Sequence, residues 1–239
     1  MTLREFRERA SQLLSEIPPE YQAGIDAVVV EEDLVRYPSL PGLFTMGECI
    51  TEEWPDGLAG VEARSRVVLY YGSFRALAEV DHAFDWEGEM WETLLHELLH
   101  HREAAASESG LELFDRAVEQ DYLRRLGRPF DPRFYRAVPR DPDGVVRIES
   151  EIFVESVVPA KARVAVFRWR NEEYTVTIPP DGDPLYISVQ NLAGGRLWVV
   201  VWRRQGWWAR HLVGHGPEPR HIARRALPRP GAASEPAAG

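Results

Sequence analysis

The sequence has a single cysteine, Cys49, among 239 residues. No internal disulfide can form and no zinc cluster can be built from thiolates, so any metal must be held by histidine and carboxylate. Long hydrophobic runs are also missing: no stretch approaches the ~18 apolar residues of a membrane span. The opening "MTLREFRERASQLLSEI" is charged and amphipathic, without the apolar centre of a secretion signal. The expectation is a cytoplasmic protein with no membrane partner. Positive charge is in deficit, with 28 Lys+Arg against 38 Asp+Glu and a net charge of −10. A chain so charged repels phosphate backbones and anionic lipid at long range, so nucleic acid is not an expected partner. Internal repeats are absent as well.

What is present suffices for a core: 44% of residues are hydrophobic and 28% charged, in a length that fits one large or two modest domains. Leu3, Phe6, Ala10, Leu13, Leu14 and Ile17 recur at helical spacing until Pro18-Pro19, predicting a helix over 3–17. "IDAVVVEE" reads as a strand. Residues 37–60 carry Pro38, Pro41, Pro55 and several glycines, predicting a long loop with a short strand around Cys49. "RVVLYYG", 66–72, is the best strand in this half, and helices are expected over 89–103 and 111–126. The proline-rich "GRPFDPRFYRAVPRDPDG" reads as an irregular connection. Beyond it "VVRIESEIFV", "ARVAVFRW", "EYTVTIP", "PLYISVQ", "RLWVVVW" and "WWARHLV" predict about six short strands in a small antiparallel sandwich or partly open barrel. "RLWVVVW" is apolar on both alternating faces, so it should be central and covered on both sides. The expected class is α+β, divided as 1–130, a linker over 131–144, a small β domain over 145–215 and a disordered tail over 216–239.

The chemistry concentrates in "HELLHHREAAASESGLELFD", 96–115. On a helix His96 and His100 project about 40° apart and can share one ion, with Glu97 beside them. Taking Trp91 as zero, Trp91, Leu94, Leu95, Leu98 and Leu99 fill an arc centred near about 10°, while the histidines fall near about 140° and 180°. They therefore face a cleft or solvent and not the core. Neutral imidazoles suit Zn2+, a third protein ligand leaves a fourth position for water, and the ion lowers the pKa of that water to about 7. Glu97 can take its proton and pass it to a departing amine. That chemistry is peptide-bond hydrolysis.

Two histidines are too few for such a site. A metzincin continuation requires Gly at 103 and His at 106, where this chain has Glu103 and Ala106. Glu103 lies about 10 Å along the helix from His96, too far to share its ion. In the second helix Leu111, Phe114, Val118 and Tyr122 form the expected apolar stripe, and Asp115 is the carboxylate nearest its edge. Glu112 has Arg116, and Asp121 has Arg125, at surface-pair spacing, whereas Asp115 has only Glu119. A dimetal site is a rival, because Glu79–His82, Glu97–His100 and Glu218–His221 each repeat the Glu-x-x-His spacing. Only the middle pair lies in a clear helical pattern. "DHAFDWEGE" lacks the spacing of a calcium loop and reads as a solvated loop.

With "FRERASQLLSEIPPEY", "DAVVVEE", "PGLFTMGE", "RVVLYYGSF", "WETLLHELLHH" and "FDRAVEQ" in this order, the first 130 residues resemble the minimal zincin-like metallopeptidase family of bacteria. The resemblance implies a gluzincin-like arrangement, with His96 and His100 on zinc, Glu97 as the base and a downstream Asp as third ligand. Here "REAAASESGLELF" intervenes before Asp115 where the family has a shorter link, so Asp115 is the expected third ligand with Glu108 in reserve. The β domain lies outside the resemblance.

His101 follows the second ligand and is expected to orient a partner or serve the fold. Tyr70 and Tyr71 end the strand expected to line a substrate cleft; one suits an oxyanion and the other the core. Trp198, Trp202, Trp207 and Trp208 are expected in packing before binding. The resulting expectation is a zinc-dependent peptidase acting on peptide or protein. The competing class is a non-catalytic zinc-binding module whose β domain recruits a protein partner.

Overall fold

A computed structural model describes residues 1–37, 40, 42–56, 60–106, 110–204 and 219–229, with backbone alone for 52–56, 60–64 and 104–106. The chain is α+β and divides into two compact units, Met1–Glu112 and Leu113–Gly239. No helix among the described residues is long and apolar enough to cross a membrane.

The first unit begins with α1, Leu3–Glu16. Its start is fixed by a reciprocal cap: Glu5 N–H donates to Thr2 Oγ1, and Thr2 N–H donates to Glu5 Oε2 at 2.8 Å, satisfying two amides that the first turn leaves open. Phe6, Ala10 and Leu13 form its buried stripe, and a single-turn helix, α2 (Pro19–Gln22), follows. A mixed sheet follows, of β1 (Ile25–Glu31), β2 (Gly47–Asp56) and β3 (Gly60–Tyr70), in the order β1-β3-β2. β1 runs parallel to β3, and β2 antiparallel. The stretch read as loop thus contains a ten-residue strand. Pro55 fits it because β2 is an edge strand, where a missing N–H leaves no ladder bond unmade.

The strand expected over 66–72 ends at Tyr70, and Tyr71 opens α3, Tyr71–Val80. Tyr71 and Phe74 recur at helical spacing and join Phe6 and Trp86 in an aromatic cluster, which favours helix over continued strand. Gly72 permits the turn: a Cβ there would lie 2.6 Å from the Asp33 carbonyl oxygen. The next helix, α4 (Trp86–Ala106), starts inside the segment read as a loop. Asp85 accepts from Glu87 N–H at its start. α4 buries Met90, Leu94, Glu97 and Leu98. Leu95 and Leu99, assigned to the core by the helical wheel, are 37% and 45% exposed. The buried face is rotated toward Glu97 because β2 and β3, not a wide apolar surface, lie beneath it.

The second unit carries most of α5, Gly110–Arg125. Eight strands follow among the described residues: β4 (Val146–Ile148), β5 (Glu151–Pro159), β6 (Val164–Trp169), β7 (Glu172–Thr177), β8 (Leu185–Val189), β9 (Leu197–Arg204), β10 (Arg220–Arg224) and β11 (Leu227–Pro228). They form a five-stranded sheet, β10-β8-β9-β5-β4, and a three-stranded antiparallel sheet, β11-β7-β6. The larger sheet is mixed, with β5 parallel to β9 and β10 parallel to β8; this corrects the all-antiparallel expectation. β9 is central as expected. Val199 and Val201 join the core shared with the smaller sheet, and Val200 joins a second core with Ala117, Phe134, Tyr135 and Tyr186.

The expected linker over 131–144 is part of that second core: Phe134 and Tyr135 are 4% and 1% exposed. Its prolines break helix periodicity, yet its aromatic residues still find apolar cover. The expected tail is corrected too, since 220–224 forms β10 and 227–228 forms β11. "WWARHLV", with Trp207 and Trp208, lies outside the described residues. In α5 the buried face carries Ala117, Asp121 and Arg124. Asp121, read as half of a surface pair, accepts from Arg124 Nε at 2.8 Å with both side chains almost wholly buried. Arg124 lies 4.1 Å from the Trp198 ring centre, where the π-face stabilises the cation.

The division also separates charge. Residues 1–112 hold 8 basic and 23 acidic residues, and 113–239 hold 20 and 15. The first unit thus carries −15 and the second +5, so the negative charge that argued against polyanion partners belongs to the first unit.

Two measurements check this fold. Gly47→Ala would place a Cβ 2.7 Å from Thr93 Cγ2 and 3.0 Å from the Val68 carbonyl oxygen, and should cost about 1–3 kcal/mol in urea unfolding. His221, packed against Phe130, Tyr186 and Trp198, has its pKa lowered by burial and then by Arg124. The unfolded chain therefore takes up this proton first, and stability should fall as pH drops below about 6.5. His221→Phe should flatten that slope in urea midpoints compared between about pH 7.5 and about pH 5.5.

Candidate metal centre

α4 sorts the residues of "HELLHH" into neighbouring stripes. His96 and His100 are one turn apart, and their Nε2 atoms approach to 3.1 Å with the rings nearly perpendicular. Asp115, on α5, is half-buried, and one of its carboxylate oxygens joins these imidazole nitrogens in a group whose atoms all lie within 4.8 Å of one another. It is the one such group of three or more His, Cys, Asp or Glu residues among the described residues. Two ligands at about 2.0–2.1 Å from a tetrahedral ion stand about 3.3 Å apart. The histidine nitrogens already have that separation, and a small movement of the carboxylate brings it to the same range. The donor set fits a borderline-soft divalent ion that accepts imidazole and carboxylate.

Glu97 occupies the next stripe and is 7% exposed. β2 closes over it. Gly47, Cys49 and Thr51 alternate onto one face of β2, opposite Leu69, Val67 and Ser65 of β3. A Cβ at Gly47 would come within 3.2 Å of Glu97 Cγ. Burial and then the Glu97 charge push the Cys49 thiol up, against hydrogen bonds from Thr51 and Ser65 that lower it. The base candidate thus sits in a narrow space between helix and strand, shielded from bulk water.

Glu103, set aside as a ligand by its distance along the helix, has another task. Its Oε2 accepts from Leu111 N–H at 2.7 Å, capping the first turn of α5 from the preceding helix. It thereby fixes the start of the helix that carries Asp115. Glu108, the other candidate ligand, lies outside the described residues, as does Glu218 of the dimetal rival. Glu112 is exposed.

His101 serves the fold. Its Nδ1 lies 2.8 Å from Ser65 Oγ, and its Nε2 lies 3.0 Å from the Ala23 carbonyl oxygen. Tyr71 is taken into the aromatic core, where its hydroxyl donates to the Met1 carbonyl oxygen. Tyr70 donates to Glu48 at 2.7 Å, and burial, followed by that bond, pushes its pKa up to about 12. β3 does not fill the role expected of it at a cleft: it is paired on both sides, and the edge beside α4 is β2. Trp198 and Trp202 pack against the second core of the β unit.

Sequence reasoning missed Gly47, Cys49, Thr51 and Ser65. The signal was available as small residues alternating through "GECIT", which is what a strand needs where a helix crosses close above it.

No family model matches the chain, and no curated protein matches it. Among solved structures, the chain is similar to a conserved hypothetical protein from T. thermophilus, at 37% identity over 44% of this chain and 98% of that one, with a TM-score of 0.40.

Proposed function

We propose that the chain is a zinc-dependent peptidase with a zincin-like first unit, in which His96, His100 and Asp115 hold Zn2+ and Glu97 is the general base. The observation that carries this reading is the convergence of two imidazole nitrogens and one carboxylate oxygen within 4.8 Å, with a buried carboxylate in the adjoining helical stripe. When bound, the ion supplies polarisation of the scissile carbonyl and lowers the pKa of water to about 7. The chain's own residues do the rest. His96 and His100 present Nε2 with little rearrangement, since the two atoms already face one another. Glu97 accepts a proton on its carboxylate and returns it to the leaving amine. Its cover by β2 keeps competing water away and strengthens its electrostatic interactions.

The substrate strand is assigned to β2. This strand pairs with β3 on one side, and its other edge is unpaired among the described residues. An extended peptide can add to that edge by main-chain hydrogen bonds, which places its backbone beside α4. Tyr70, held by Glu48 and raised to about 12, remains a neutral donor throughout the physiological range.

Glu97→Gln should retain zinc, measured by inductively coupled plasma mass spectrometry, and lose about 10²–10⁴-fold in turnover of an unfolded protein substrate. Asp115→Ala should lose at least about tenfold in zinc affinity while Glu108→Ala keeps it. A wild-type protein that stays metal-free in excess zinc ends this reading.

A further inference from the structure

The motif contains two pairs at helical spacing, not one. His96 and His100 form the first; Glu97 and His101, also four residues apart, form the second on the adjoining stripe of α4. The neighbours of this second stripe make a continuous polar chain. The Ala23 carbonyl oxygen can only accept, so His101 Nε2 carries the proton and donates to it at 3.0 Å. In the neutral ring Nδ1 then accepts from Ser65 Oγ at 2.8 Å. With its proton so used, Ser65 accepts from Thr51 Oγ1, also at 2.8 Å. Cys49 lies beside both hydroxyls and close enough to Glu97 to feel its charge. Ser65 is 1% exposed. A Cβ on Gly24 would fall 2.6 Å from His101 Nε2, so only a glycine in this turn lets the ring come so close to the Ala23 carbonyl.

The buried apolar residues of α4, Met90, Leu94 and Leu98, supply packing but no directional bonds. A roll of about 20° moves an atom about 6 Å from the helix axis by about 2 Å, enough to separate His96 and His100 from a third donor. The directional bonds at His101 oppose such a roll from both ends of one ring.

We propose that His101 is a positioning residue: clamped between Ser65 and the Ala23 carbonyl, it sets the roll of α4 and so aims His96 and His100 at the metal and Glu97 at the space beneath β2. The catalytic consequence rests on the peptidase reading, but the positioning does not.

The test has a zinc-free arm and a zinc arm. In the zinc-free protein the Thr93 methyl group, which lies against Gly47 of β2, should show a nuclear Overhauser effect to the Gly47 α protons. His101→Leu should lose it, and Ser65→Ala should weaken it. His101→Gln, whose amide can still donate to Ala23, should restore it. With zinc, His101→Leu should bind about 10–100-fold more weakly, with kcat falling more than KM rises, and His101→Gln should recover most of both. Should His101→Leu fail to fold, Ser65→Ala and His101→Gln carry the comparison. A Thr93–Gly47 contact and zinc affinity unchanged in a folded His101→Leu, or in Ser65→Ala where Leu does not fold, overturn the proposal. If the Thr93–Gly47 contact follows the pattern while no variant, wild type included, binds zinc, the positioning stands and the peptidase reading falls.

Discussion

How closely α4 can approach β2 depends on a side chain that Gly47 does not have. A single methyl group there would meet Thr93, the Val68 carbonyl and Glu97 together. The rest of the first unit follows from this approach. Because helix and strand touch, Glu97 is buried although it is a carboxylate, and Leu95 and Leu99 turn outward although they are apolar. The close packing also brings Cys49, Thr51 and Ser65 beneath the helix, where a wider gap would have required large apolar side chains. Dense packing of small residues and a buried polar chain are two aspects of one contact.

The second unit solves a related problem with opposite means. Where α4 uses small groups beneath it, α5 presents Asp121 and Arg124 to an aromatic surface of Phe153, Tyr186 and Trp198. A buried ion pair recovers little net free energy beyond its own desolvation. What it supplies is geometry, since guanidinium, carboxylate and indole each accept neighbours only from certain directions. Both helices thus have their orientation specified by polar groups on faces that hydrophobic patterning assigns to apolar ones.

That pattern explains what the sequence revealed. Helix periods were legible wherever apolar residues alone face a core, as in α1, and "RLWVVVW" was legible as a doubly covered strand because both of its faces bind apolar neighbours. The buried faces of α4 and α5 were misread because Glu97, Asp121 and Arg124 count as surface residues on any hydrophobicity scale. The 131–144 segment and the strands after 219 were missed for a different reason. Proline suppresses periodicity without preventing Phe134 and Tyr135 from packing, and β10 is ordered by pairing with β8, a partner distant in sequence. Asp115 was singled out among the acidic residues by an apolar stripe that is only partly buried, whereas the role of Glu103 as a cap rests on a contact with Leu111, eight residues on, that no helical spacing encodes.

The doubled spacing in "HELLHH" also limits how this segment can change length. His96/His100 and Glu97/His101 stay in separate stripes only while four positions divide the members of each pair. A residue gained between Glu97 and His100 would rotate everything after it by about 100° and put Leu99 in the place of His100, whereas a residue lost would put His101 there and leave Glu97 facing Arg102, so either change breaks one of the two pairs. Replacement of Leu99, which faces outward, leaves the phase intact. Among descendants of this sequence, the segment should therefore vary in identity at Leu99 while its length stays fixed.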